Sequence, residues 1–269
     1  MINPLSQKIR TFHNLDINDG NLCYIGTNDY GLSEVEKILK NHPNNEINTC
    51  HIGVSGYYNF DIAVFRKSER IIIFDHNPQQ VKFMKQTLKI INISKNREEF
   101  LNNMISYLNI KQQEHSIVLN EKEFNRGKSK IETMSFMINI SEDDSYNKIK
   151  FEDNVTIDAI DQIIYELERK SSWLSTDFSF NYIRKLSLKD HIAIFCEDIK
   201  SIHVFKRINN ILLNNNIFVD TLYLTNVKGY LLDKDKLLYD ETLKYLSNDK
   251  TMIIENTGTL NIRVNYIKI

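Results

Sequence analysis

The sequence has little of several features that mark particular classes of protein. Cysteine is scarce, because only Cys23, Cys50 and Cys196 occur, and they are scattered along the chain. An odd, unpatterned set argues against a disulfide framework and favours a reducing compartment. No apolar run reaches the roughly 20 residues of a membrane-spanning helix, and the first residues lack the hydrophobic core of a signal peptide. These absences predict a cytoplasmic protein without a membrane span.

Excess charge and the common catalytic motifs are also lacking. The 34 basic and 35 acidic residues leave a net charge of −1, so the bulk charge gives no signal for nucleic acid. GxSxG, HExxH, GxxxxGK[ST] and C-x-x-C are all absent, which argues against a nucleophile elbow, a zinc protease site, a P-loop and a redox pair. Asp143 and Asp144 predict a solvated turn, because no second acidic cluster has matching spacing, and no metal is predicted.

The chain is organised around an apolar run that begins at Thr49 and stops in a turn containing Gly53, Ser55 and Gly56. This pattern predicts a buried strand whose backbone comes close to a ligand, because Gly53 and Gly56 have no Cβ. The alternative is an ordinary tight turn.

A second apolar run, from Arg70, ends in an acid, Asp75. Asp75 follows the glycine turn at close to the roughly 20-residue spacing at which a βαβ unit offers a carboxylate to a ribose diol. Asn77 and Pro78 then predict the start of a helix, with an Asx cap and proline at the first helical position. The alternative for Asp75 is a solvated side chain at a strand end.

The order strand, glycine turn, helix, strand and acid resembles the first half of a class I S-adenosylmethionine-dependent methyltransferase. The segment Phe74-Asp75-His76-Asn77-Pro78-Gln79-Gln80 is also similar to the D-x-N-P-x-Q of the aminocarboxypropyl transferases that build betaine lipids. The likeness covers Cys50 to Leu88. It implies S-adenosyl-L-methionine as cofactor, bound by Gly53, Ser55, Gly56, Tyr57, Asp75, His76 and Asn77.

The same resemblance assigns roles at the ends of two later strands. A buried strand from His191 to Cys196 is followed by Asp198 and Ile199, which match the acid and apolar residue that hold adenine in this family. Glu197 is the competing acid, and a helix N-cap is the alternative reading of Asp198.

The strand from Phe218 to Val227 places Thr225 and Asn226 at its end, with Tyr230 just beyond. Chemistry in open α/β sheets concentrates beyond the carboxyl ends of the strands. We therefore predict Thr225 in the cofactor site and Asn226 and Tyr230 as catalytic residues. The segment lacks the N/D-P-P-Y group of amino-methyltransferases, which argues against nitrogen methylation of that kind.

The predicted fold is α/β, a Rossmann-like class I methyltransferase sheet with helices on both faces and an inserted α-rich subdomain after the second strand. Residues 1–92 would hold an N-terminal helix and the first half of the core, 93–190 a substrate-selecting insertion, and 191–269 the second half with a closing antiparallel hairpin. Trp173, in the insertion, either stacks on a planar ligand or packs under a loop.

These observations predict a methyltransferase acting on a small or medium substrate, either a small molecule or a protein. Its catalysis would consist mainly of positioning a nucleophile in line with an activated carbon. Aminocarboxypropyl transfer with the same cofactor and a non-catalytic cofactor-binding module remain open as alternatives. A nicotinamide-dependent oxidoreductase is a more distant rival, because one βαβ unit with an acid also suits NAD.

Overall fold

A computed structural model describes residues 22–24, 32–42, 47–113, 117–119, 137–140, 169–256 and 262–266. The strands of this part of the chain are β1 Leu22–Tyr24, β2 Thr49–Val54, β3 Arg70–Asp75, β4 Ile117–Leu119, β5 Met137–Ile140, β6 Ile192–Cys196, β7 Phe218–Thr225, β8 Met252–Asn256 and β9 Ile262–Tyr266. Its helices are α1 Leu32–Asn41, α2 Tyr58–Arg66, α3 Pro78–Ile93, α4 Arg97–Gln113, α5 Asp177–Leu188, α6 Ile202–Leu213, α7 Val227–Tyr230 and α8 Asp233–Leu246.

The main sheet has six strands in the order β6-β3-β2-β7-β8-β9. The first five in this order are parallel to one another, and β9 pairs antiparallel with β8. The predicted α/β class with a parallel sheet is therefore confirmed.

The apolar runs form strands because both faces of the sheet are covered by helices. In β3, Ile71 and Ile73 contribute to one buried cluster, which also includes side chains from α3, α4 and α5. Ile72 and Phe74 point to the opposite face and join a second cluster with side chains from α6 and α8. Successive strand residues point to opposite faces, so a strand buried on both faces is apolar along its whole length.

A second, smaller sheet shares no strand with the main sheet. It has the order β1-β5-β4, and both pairings are antiparallel. The segment predicted as an α-rich insertion therefore also supplies two strands, β4 and β5. One of these pairs with β1, which precedes the first strand of the main sheet along the chain.

The described helices of residues 93–190 share their hydrophobic core with the first half of the main sheet. The Trp173 ring is fully buried, with ring centroids 5.5 Å from Tyr57, 4.9 Å from Phe60, 5.3 Å from Phe100 and 6.0 Å from Phe180. Trp173 therefore packs in the core, and its ring is not presented to a ligand. The described helices of this segment, α4 and α5, therefore contribute side chains to the main core.

Two buried ion pairs hold α2 in place. The Arg66 guanidinium makes a bidentate contact with Asp220 of β7, at 2.8 and 2.7 Å, and the two side chains are only 4% and 7% exposed. At the start of the helix, Asp61 is fully buried and pairs with Arg169. The other carboxylate oxygen of Asp61 accepts the backbone N–H of Trp173 at 2.6 Å. Helix α2 is thus tied to the sheet and to the segment before α5.

Candidate functional site

The strand order reverses between β2 and β7. From β2 the chain proceeds to β3 and β6 on one side, whereas β8 lies beyond β7 on the other. In open α/β sheets, ligands bind in the crevice outside the carboxyl ends of the strands at such a switch point. The strand order therefore directs attention to the residues that end β2 and β7 and to their neighbours on β3 and β6.

The structure brings Ser55 and Asp75 together at this edge. Val54 and Phe74 are paired in the parallel ladder, so the residues that follow them are neighbours. The Asp75 carboxylate accepts the backbone N–H of Asn77 at 2.9 Å, and the backbone N–H groups of Ser55 and His76 are near enough to lower its pKa. The bend after β2 and the acid at the end of β3, both predicted from the sequence, are therefore neighbours at this edge of the sheet.

Asp75 is a partly desolvated carboxylate with 14% of its side chain exposed. Burial raises its pKa, whereas the backbone donors and the neighbouring His76 lower it, and the net direction is upward. His76 Nδ1 lies 3.6 Å from Asp75 Oδ1, and 57% of the His76 side chain is exposed. Because the carboxylate retains some exposure, it can accept hydrogen bonds from a ligand as well as from the backbone.

Asp75 also fixes the start of α3. Its bond to the Asn77 amide closes an Asx turn, and the first helical bond runs from the Val81 N–H to the Asn77 carbonyl. Asn77 and Gln80 are both buried. The D-x-N-P-x-Q segment is therefore a helix start in which Asp75 faces the crevice edge, and Asn77 and Gln80 do not present their side chains to solvent.

Gly53 has a different role from the one the sequence predicts. A Cβ built on Gly53 would lie 2.0 Å from Asn59 Oδ1 and 3.1 Å from His51 Nε2. The space beside this glycine is thus filled by the Asn59 side chain, which donates to the carbonyls of Val54 and Gly56 at 2.7 and 2.8 Å. Gly53 accommodates a buried asparagine, so a ligand must approach the bend from its outer side.

The Tyr57 side chain does not line the crevice. It is fully buried, its ring stacks on Phe83 with centroids 5.9 Å apart, and its hydroxyl lies 3.1 Å from Thr87 Oγ1. The expectation that this ring contacts the cofactor is therefore corrected, because aromatic packing at the start of α2 places it in the core.

Asp198 and Ile199 follow β6 as expected, but the two side chains differ in access. Asp198 Oδ1 accepts the Lys200 N–H at 2.9 Å, and its Oδ2 lies 3.2 Å from Lys200 Nζ. The nearby Glu197 is buried and accepts from the Asp198 N–H at 2.9 Å and from the Ser201 hydroxyl at 2.7 Å. Asp198 is partly exposed, with 25% of its side chain accessible. Ile199 is buried in the core, so it offers no open apolar surface for a ring.

Thr225 and Asn226 lie at the carboxyl end of β7. Thr225 has a φ of 45°, which is a strained value for a β-branched residue. Its hydroxyl lies 3.4 Å from Asn226 Oδ1, and Asn226 precedes the short helix α7. Tyr230, at the end of that helix, is 76% exposed. Thr225 and Asn226 are therefore at the switch point, whereas the Tyr230 side chain extends into solvent.

Ser55 and Thr225 share an unusual backbone conformation. Ser55 has a φ of 70°, so the residues ending both strands at the switch point lie in the left-handed region without being glycine. Such conformations cost about 1–3 kcal/mol each and persist where the surrounding contacts determine them. The strain is thus placed on both walls of the candidate crevice.

Two functional-site neighbours were not predicted. The Tyr239 hydroxyl of α8 donates to Glu255 Oε2 of β8 at 3.1 Å, and burial and the Glu255 charge raise the Tyr239 pKa. Glu255 is paired with Thr225 in the ladder. The position of Glu255 near the end of a predicted strand was the available signal, whereas nothing in the sequence relates Tyr239 to that strand.

The described residues contain no cluster of three metal-ligating side chains, and Asp143 and Asp144 lie outside them. Cys50 and Cys196 are buried, and burial raises the pKa of the Cys50 thiol, which disfavours its reactive thiolate. In the same part of the chain, no helix is long and apolar enough to cross a bilayer.

The arrangement at the carboxyl edge suits recognition of hydroxyl and amide donors, with Asp75 as its central acceptor.

A family model described as "Domain of unknown function (DUF7790)" matches residues 24–267. This match covers nearly the whole chain and includes every residue of the candidate site. No curated protein matches the sequence.

Proposed function

The chain belongs to the Domain of unknown function (DUF7790) family, and from its site we propose that it is an S-adenosylmethionine-dependent transferase, with methyl transfer to a small or medium substrate as its reaction. The observation that carries this proposal is that the bend after β2 and the Asp75 carboxylate lie side by side at the tips of β2 and β3, where Val54 and Phe74 are paired and the Ser55 N–H lowers the Asp75 pKa. A βαβ unit with an acid at this position offers that acid to the two hydroxyls of a ribose.

The direction of the last strand supports a transferase over a nicotinamide-dependent enzyme. The order β6-β3-β2-β7-β8-β9 follows the dinucleotide-binding arrangement 3-2-1-4-5-6. Its last strand, however, runs antiparallel to β8, and a closing antiparallel hairpin is the usual end of the class I transferase sheet. This feature favours the class I resemblance over the NAD alternative.

The residues at the carboxyl edge fit the nucleoside end of such a cofactor. Asp75 keeps 14% of its side chain exposed, which leaves it able to accept from ribose hydroxyls. Asp198, also partly exposed, is the acceptor available for an exocyclic amine. The buried Ile199 does not provide the expected apolar face, so recognition of the base would depend on polar contacts.

When bound, the cofactor supplies a carbon already activated by its sulfonium, so the protein needs no strong acid or base at the reacting atoms. The contribution of this chain is to hold the two reactants in line. Asp75 would orient the ribose, and Thr225 and Asn226, at the end of β7, would position the acceptor. Tyr230 lies at the outer rim and would contact only a substrate that extends beyond the crevice.

Isothermal titration calorimetry with S-adenosylhomocysteine tests the proposal directly. Asp75→Ala removes a charge-assisted acceptor, which is worth about 1–3 kcal/mol, so we expect the Kd to rise roughly 5- to 150-fold. Asp249→Ala is the matched control, because Asp249 is exposed in the turn before β8, at the opposite edge of the sheet. Equal affinity in wild-type protein and a folded Asp75→Ala variant would refute the assignment of the ribose site.

The products distinguish the two uses of the cofactor. Incubation with S-adenosylmethionine and candidate acceptors would release S-adenosylhomocysteine if a methyl group is transferred. Release of methylthioadenosine would instead indicate transfer of the aminocarboxypropyl group. Binding without either product, across acceptors bearing amines, hydroxyls and thiols, would favour a non-catalytic cofactor-binding module.

A further inference from the structure

A chain of buried polar side chains runs from β7 to the bend after β2. Asn59, in the first turn of α2, is fully buried, and its Nδ2 donates to the carbonyls of Val54 and Gly56 at 2.7 and 2.8 Å. Because carbonyl oxygens only accept, the amide nitrogen must face them. The Asn59 Oδ1 atom is therefore left as an acceptor.

The orientation of Asn59 determines the protonation of His51. His51 Nε2 lies 3.0 Å from Asn59 Oδ1, and since this oxygen can only accept, Nε2 must carry the proton. The imidazole is fully buried, and burial lowers its pKa to about 4, so the ring is neutral and its Nδ1 is unprotonated. Nδ1 then accepts the Thr221 hydroxyl proton, with the two atoms 2.8 Å apart.

All donors in this chain of hydrogen bonds point the same way. Thr221 of β7 donates to His51 of β2, His51 donates to Asn59, and Asn59 donates to the two carbonyls that flank Ser55 along the backbone. The network thus joins the two strands at the switch point and ends on the bend. Every polar atom it uses is buried, where a lost partner costs more than in water.

The bend that receives these bonds is the one with the strained conformation. Ser55 has a φ of 70°, and its N–H lowers the pKa of the Asp75 carboxylate at the neighbouring strand end. A serine keeps such a conformation only where its surroundings determine it. The two bonds from Asn59 hold the peptide groups of Val54 and Gly56, on both sides of Ser55, and so supply that constraint.

We propose that Asn59 is a positioning residue that holds the 54–56 bend and thereby aims the Ser55 amide at Asp75, with His51 and Thr221 fixing the orientation of the Asn59 amide. The consequence for ligand affinity rests on the proposed function. The hydrogen-bond direction and the Ser55 conformation do not depend on it and are tested in the apo protein.

The test uses Asn59→Asp, which keeps the shape and the acceptor for His51 but removes both bonds to the bend. In protein labelled with ¹⁵N-serine, we expect the Ser55 amide to exchange with solvent at least 10-fold faster in this variant than in wild type. Thr221→Val, which removes the first donor, should produce a smaller increase that Thr221→Ser reverses. Thr87→Val is the control, since Thr87 carries a buried hydroxyl outside the network, and it should leave Ser55 exchange unchanged.

Two results would overturn this inference, and a third separates it from the proposed function. Imidazole ¹⁵N shifts that place the His51 proton on Nδ1 would overturn the direction of the network. Equal Ser55 exchange in wild type, Asn59→Asp and Thr221→Val would overturn the positioning role, and the Thr221 variants still decide it if Asn59→Asp does not fold. If wild type fails to bind S-adenosylhomocysteine but Ser55 exchange rises as expected, the proposed function fails and the positioning role stands. If it binds, Asn59→Asp should raise the Kd at least 10-fold.

Discussion

Replacing Gly53 by alanine separates a structural role of this residue from a ligand-binding role. The new Cβ would lie 2.0 Å from Asn59 Oδ1 and 3.1 Å from the Tyr223 Cβ, so the Asn59 side chain must move. A glycine that admits a ligand to the backbone would tolerate alanine in the absence of ligand. The structure instead predicts a loss of stability in the apo protein.

The magnitude follows from the contacts that Asn59 makes. Overpacking a buried site costs about 1–3 kcal/mol, and each buried polar group that loses its partner adds about 1–3 kcal/mol. Displacement of Asn59 affects bonds to Val54, Gly56 and His51, although relaxation will preserve some of them. We therefore expect a loss of about 3–5 kcal/mol, a large share of the roughly 5–15 kcal/mol available to a domain.

Urea denaturation followed by circular dichroism, without ligand, measures this loss as a change in the free energy of unfolding. Gly229→Ala is the matched control, because a Cβ on Gly229, in α7, has no atom within 4 Å. Alanine there should be neutral or stabilising by up to about 1 kcal/mol. If Gly53→Ala unfolds within 0.5 kcal/mol (roughly the spread of neutral substitutions) of wild type, the packing argument for Gly53 is refuted.

Three further outcomes follow from buried charges and titrating groups. Arg66→Met should lower the free energy of unfolding by about 3–5 kcal/mol, because it leaves the Asp220 carboxylate buried without its ion pair. The double variant Arg66→Met/Asp220→Leu should recover part of this loss in the same urea assay. The neutral His51, with its pKa lowered to about 4, makes stability fall as the pH drops from about 6.5 to 4, because only the unfolded state takes up this proton there. The free energy of unfolding should fall by about 3 kcal/mol over this range. His51→Gln should remove that pH dependence, and an unchanged slope of stability against pH would contradict the assignment of a neutral, buried His51. Because burial raises the Asp75 pKa, affinity for S-adenosylhomocysteine should decline on acidification at a pH above the ordinary carboxyl value of 3.8. Titration calorimetry across that range measures this decline. An affinity independent of pH would show that Asp75 is not involved.

The first βαβ unit was predictable because its signals are local. The apolar run and terminal acid predict a strand from Arg70 to Asp75, which is β3, and the Asn77-Pro78 pair marks the start of α3. Spacing within one βαβ unit also predicted that the bend and Asp75 would be neighbours.

Roles that depend on distant contacts could not be predicted in the same way. Nothing near Gly53 in the sequence indicates that Asn59 would fill the space beside it, since this requires the helix to return over the strand. Trp173 was expected either on a ligand or under a loop, but its partners Tyr57 and Phe60 are more than a hundred positions away. Such contacts are set by how the helices pack, which no periodicity records.

The burial of Trp173 limits how this protein can be modified, by experiment or by evolution. Its indole packs against the Phe60 ring of α2 and against rings of α4 and α5. A chimera that replaced residues 93–190 with the corresponding stretch of another family member would have to carry matching aromatics on both sides of the join. Exchange of that segment as a unit is therefore expected to disturb the main core, whereas single substitutions at the strand ends leave these ring contacts in place.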